Sequence, residues 1–132
     1  MALEVGSIGE ALAFWESLFG PLTLRARSER MAFVDLGDQF VALSAGRTQP
    51  PDEHRHVGIV VDDAEAVIAA ARSTGVAVSG NDVRDPWGNV LQIVDYREVQ
   101  FTKADPVLRG MGLDGLRKTD AAQDELDAKG LL

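Results

Sequence analysis

Two helix signatures stand 55 positions apart in this chain, and that duplication limits what it can fold into. Ser7 followed by Glu10 is a capping box, and Asp62 followed by Glu65 repeats it. Each opens an amphipathic run: Ile8, Ala11, Leu12, Trp15, Leu18 and Phe19 recur at helical spacing in the first, Ala64, Val67, Ile68 and Ala71 in the second. Each run is stopped by a glycine, Gly20 and Gly75, again 55 positions apart. A supersecondary unit that appears twice cannot bury its apolar face alone, so the two halves must share a core.

Strand signals complete the unit. Before the first helix lies a short strand over residues 2–5. After it, residues 22–26 alternate, residues 31–35 are extended, Gly37-Asp38 suits a two-residue hairpin, and residues 40–43 return. Residues 47–53 are polar with two prolines, the composition of a linker. Residues 56–61 then open a second unit, followed by the second helix, residues 76–78, a turn at Gly80-Asn81, and residues 83–84. Asp85-Pro86-Trp87-Gly88 reads as a type I turn, with Asp first, Pro second and Gly last. It feeds Val90-Leu91-Gln92-Ile93-Val94, a strand apolar enough to be buried except for one amide, Gln92. Both halves therefore read β-α-β-β-β.

Composition sets the class. The chain has 132 residues, 45% hydrophobic and 26% charged, which is enough for one domain with a real core. A net charge of -8 repels nucleic acid and anionic membrane, so neither is an expected partner. With no cysteine there is no disulfide, thiolate metal site or cysteine nucleophile. No basic region precedes an apolar run and no apolar run approaches spanning length, so the expected compartment is the cytoplasm.

A D-P-x-G-N turn feeding a strand with Glu or Gln four residues after the glycine resembles the last hairpin of the vicinal oxygen chelate superfamily, the group of glyoxalase I, bleomycin-resistance proteins and extradiol dioxygenases. The resemblance covers roughly residues 1–96, as module one (1–46) and module two (54–96). It implies an α+β fold in which two β-α-β-β-β modules form a curved, partly open eight-stranded barrel with outer helices. It also implies a divalent metal held by two side chains per module. His56, opening the first strand of module two, and Gln92 match two of those positions. Module one departs from the pattern: shifting His56 by the repeat lands on Met1, and neither Val41 nor Ala42, the candidates opposite Gln92, can bind a metal. A divalent ion is thus possible but its ligand set is incomplete, and the expectation is no cofactor.

Around that pair, Phe33, Phe40 and Val94 offer apolar lining, and Arg84 with the loop-tip Trp87 offers further contacts for a small aromatic or amphipathic molecule. His54, in the linker, reads as a solvated loop residue, and Trp15 and Phe19 as core. Glu4 is the one acid near the missing ligand positions and so the weak candidate for a catalytic base. Three functions follow from different classes: a small-molecule-binding protein of bleomycin-resistance type, a metal-dependent lyase, isomerase or dioxygenase, and a structural or regulatory dimeric domain.

The remaining residues, 97–132, form a helical extension. Asp105-Pro106 starts one helix; residues 120–129 have helical composition and Gly130 ends them. Leu108, Met111, Leu113, Leu116 and Leu126 need cover, either on the same domain or on a partner subunit of a homodimer.

Overall fold

The structure is a computed structural model that describes residues 1–37 and 40–132. Module one runs β1 (Ala2–Val5), α1 (Ile8–Phe19), β2 (Leu24–Arg27), β3 (Met31–Asp35) and β4 (Phe40–Ala45). Module two repeats it with β5 (Val57–Val61), α2 (Ala64–Thr74), β6 (Val78–Ser79), β7 (Asp82–Arg84) and β8 (Val90–Asp95). Two further helices, α3 (Asp105–Gly110) and α4 (Asp120–Ala128), form the tail. The expected Gly37-Asp38 hairpin lies outside the described residues.

Each module makes a four-stranded sheet of the same order, β1-β4-β3-β2 and β5-β8-β7-β6. In both, the first strand pairs parallel with the last and the others are antiparallel. The barrel is accordingly open: two sheets rather than one closed ring. They share a core because Val5, Val34, Val41 and Leu43 of one sheet and Ile59, Val83, Leu91 and Ile93 of the other lie in one buried cluster with both helices. Trp15, 1% exposed, is the largest fully buried side chain of that cluster.

The helix starts show how local sequence sets the geometry. Ser7 caps α1, its Oγ accepting from the Glu10 N–H at 3.3 Å. In module two the cap is Asp63, not Asp62: its carboxylate accepts from the Ala66 N–H at 3.1 Å. The one-residue shift arises because Asp62 ends the exit from β5, and only the next residue reaches the first turn of α2. A second carboxylate helps, since Asp95 at the end of β8 accepts from the Ala64 N–H at 3.1 Å and from the Arg97 side chain at 2.8 and 2.9 Å. The Arg97 hydrogen bonds outweigh the effect of burial and lower the Asp95 carboxyl to about 2.

Between the modules the linker is fastened foremost by the Arg47 guanidinium. The Arg47 side chain is only 4% exposed. It donates to the carbonyls of Glu4, Gln49 and Pro50, to the Asp52 carboxylate and to the Asn89 side-chain carbonyl. Burial pushes the Asp52 carboxyl up, but hydrogen bonds from Arg55 and Arg47 bring it below its ordinary value. Asn89 completes the bridge by donating to the Glu4 carbonyl at 2.8 Å, 85 residues away in sequence.

The tail folds back onto module two. Lys118 Nζ sits 3.7 Å above the centre of the Tyr96 ring and donates to the carbonyls of Tyr96 and Val99. Ala122 and Leu126 of α4 are buried, and no helix among the described residues is long and apolar enough to cross a membrane.

Candidate functional site

Strand alternation gives each sheet one face on the helices and one open face. In β8, Leu91, Ile93 and Asp95 are buried, while Val90, Gln92 and Val94 point the other way. Parallel pairing sets Gly58 beside Gln92 and Val60 beside Val94; antiparallel pairing sets Asp82 across from Gln92 and Arg84 across from Val90. His56, exposed just before β5, lies two residues from Gly58 and shares its face by alternation. The open face of module two therefore carries a polar strip of His56, Gln92 and Asp82 bordered by Val60, Val90 and Val94. Sequence reasoning misses Asp82 because it begins the strand at Val83; the signal was the register of the Gly80-Asn81 hairpin, which brings Asp82 into the ladder.

Module one presents a different open face. Its β1–β4 pairing of Ala2 with Ala42 repeats the pairing of Gly58 with Gln92, so Ala42 holds the position of the amide and Val41 faces the helices. Phe33 pairs across from Ala42, and its ring meets Phe40 edge to face with centroids 5.4 Å apart. The Arg25 guanidinium lies 5.6 Å from the centroid of the Phe40 ring, which leaves Phe40 42% exposed. Glu4 is exposed on β1 opposite Ser44, on the side away from buried Val5.

Two candidates are held by packing. Arg84 donates to the carbonyls of Asp52 at 2.8 Å and Gly88 at 3.0 Å, tying the linker to the last turn. Trp87 is half-buried over Gly6, where a Cβ would collide with the indole ring, so residue 6 must lack a side chain. The turn that places it closes as its sequence demands: the Gly88 N–H returns to the Asp85 carbonyl at 3.2 Å, and the buried Asp85 carboxylate accepts from the N–H groups of Trp87 and Asn89. Gly88 itself has φ of 91° and packs on Pro51, so only glycine suits it.

The donor set fits a resident metal poorly. His56 and Asp82 stand on opposite sides of β8, with only the Gln92 amide between them. Among the described residues no three of His, Asp and Glu come together. A site holding a divalent ion takes three or four converging donors, normally with histidine or carboxylate predominating.

Known proteins match this architecture. The sequence model described as Glyoxalase/Bleomycin resistance protein/Dioxygenase superfamily matches residues 1–102. No curated protein matches the chain by sequence. Among solved structures, the fosfomycin resistance protein FosX from Listeria monocytogenes, complexed with Mn(II) and sulfate, aligns at a TM-score of 0.62 with 10% identity, covering 83% of this chain and 93% of its own. Lactoylglutathione lyase from Agrobacterium tumefaciens aligns at 0.57 with 18% identity, covering 73% and 90%. The bleomycin resistance determinant encoded on the transposon Tn5 aligns at 0.55 with 16% identity, covering 71% and 92%.

Proposed function

Because this chain belongs to the Glyoxalase/Bleomycin resistance protein/Dioxygenase superfamily, we propose that it binds a small organic molecule on the open faces of its sheets without a resident catalytic metal. The observation that carries the reading is the make-up of those faces. Half-buried Phe33 and exposed Phe40 form an edge-to-face pair on one. His56, Gln92 and Asp82 line up on the other without forming a cluster of acids and imidazoles. An apolar platform with a few directional polar groups suits an aromatic or amphipathic ligand. Val94 extends the apolar border; Arg84 and Trp87 act by holding the turn beneath it.

A ligand screen by thermal shift on the full chain tests this reading. A hit should be weakened by Phe40→Ala and by His56→Ala, with the fold retained. Calorimetric titration with zinc, nickel, manganese or iron should give affinity weaker than about micromolar, as expected of an incomplete sphere, and no lactoylglutathione turnover. A metal-dependent enzyme is the second reading, favoured by the fold shared with the Mn(II)-bound fosfomycin resistance protein. A stoichiometric, sub-micromolar metal site lost in His56→Ala would establish it and overturn the first.

We read the chain as a cytoplasmic homodimer, supported by the exposed Phe101, Leu131 and Leu132 of the tail and by the unpaired outer edges of β2 and β6. Light scattering at micromolar concentration should return twice the mass of one chain; a monomer mass would defeat the dimer.

A further inference from the structure

Arg47 and Asn89 bind the modules together at one end of the helix pair; at the other, between the last turn of α1 and the first turn of α2, a cavity of about 880 Å³ remains. Leu22 and Leu36 line it from module one, Val61 and Ala66 from module two, and Leu108 and Met111 of the tail form its outer wall. Val60, which borders the open face, and Asp35 reach its lining, but Phe33, Phe40, His56, Gln92 and Val94 do not, so it lies beside the open-face site without sharing its aromatic and polar groups. Its volume falls within the range of roughly 300–1,000 Å³ typical of pockets for drug-sized ligands.

The charges around it have one predominant sign. The described lining holds three carboxylates, Asp35, Asp62 and Asp63, against one ammonium, Lys103. The helix ends act in the same sense. The positive end of α2 is already met by Asp63 and Asp95, whereas the last turn of α1 has no basic residue to offset its carbonyls. Asp63 is committed to its cap, and one oxygen of the Asp35 carboxylate accepts from the Gly37 N–H at 2.7 Å. Asp62 is exposed at the rim. An apolar floor under a carboxylate rim recognises an organic cation with an apolar body. We propose that this cavity between the modules, roofed by the tail, is a second binding site for such an amine.

The tail makes the site conditional. Leu108 and Met111 belong to or adjoin α3, which has no buried residue, while the segment is anchored further on by Lys118 and by the buried Leu126. Its outer wall thus rests on module one through Met111 against Gly37 and is otherwise held from further along the chain, and a ligand beneath it would add contacts to a helix that has no buried residue.

The test is a backbone-amide NMR titration of the full chain with three matched probes: 4-phenylbutylammonium, 4-phenylbutan-1-ol and 4-phenylbutyrate. The ammonium should shift amides of residues 61–67 and 110–113, saturably, and bind about tenfold tighter than the carboxylate, the scale expected for one unit charge near a partly exposed acid pair. Asp62→Asn, at an exposed position, should narrow that ratio and leave the alcohol's affinity unchanged. Ala66→Phe should fill the cavity and abolish the shifts. His56→Ala, which weakens the open-face site, should leave all three probes unaffected, so the two readings fail separately. Equal binding of ammonium and carboxylate, shifts confined to the amides around Phe33 and Gln92, or unchanged binding in Ala66→Phe would each overturn the proposal.

Discussion

Module one and module two share a sheet order, a strand register and a capped helix, yet their open faces have almost nothing in common. Facing the helices, Leu43 and Ile93 hold the same place in β4 and β8, and both are fully buried. Facing away, Ala42 stands where Gln92 does, and an aromatic pair replaces a polar strip. Packing explains the difference. A helix-facing position must fill a shared core at close-packed density, whereas an open-face position is constrained only by what binds there. Duplicated architecture and divergent chemistry thus occupy opposite sides of the same strands.

The largest expected effect tests that division directly. Leu43→Ala and Ile93→Ala should each lower stability by about 2–5 kcal/mol in urea unfolding, whereas Phe40→Ala and Gln92→Ala should each cost less than about 1 kcal/mol. Comparable losses on the two faces would mean that the open face is packed in solution, as a dimer interface would make it.

Next in size is the bridge between the modules. Arg47→Met leaves Asn89, Asp52 and three carbonyls short of a buried donor, and should cost about 2–3 kcal/mol. Hydrogen exchange should then quicken both in β1 and in the β7–β8 turn. Loss of protection in one module alone would show that the guanidinium belongs to that module and not to the junction.

The smallest effect marks an asymmetry between the helices. Asp95 gives α2 a second N-terminal acceptor, and the matching residue of β4 is Ala45, so among the described residues Ser7 is the one side chain that caps α1. Asp95→Asn should cost about 1–2 kcal/mol at neutral pH. Because the folded carboxyl lies at about 2 against an ordinary 3.8, its contribution is fully present above about pH 4 and fades as pH falls toward 2. The variant should therefore lose stability less steeply over that acid range than the parent chain, and parallel acid limbs would contradict the assignment.

The repeat was legible from spacing because its signals are local. Capping residues, stop glycines and the Asp85-Pro86-Trp87-Gly88 turn act within a few residues of themselves, and they specified two β-α-β-β-β units and the strand carrying Gln92. Where local signals compete, the reading slipped. Asp62 and Asp63 are both eligible caps, and only the exit of β5 selects the second. The site was less legible than the fold because its neighbours are set by register between distant strands. Nothing near Gln92 in the chain reveals that Asp82 lies across from it, that Ala42 and not Val41 is its counterpart, or that Arg84 and Trp87 are engaged in holding the linker and the β1–α1 junction. The same holds for the cavity beneath the tail. Its walls come from residues as far apart as Leu22 and Met111, and such a space exists only once two modules and an extension have packed, leaving unfilled the volume that no local preference specifies.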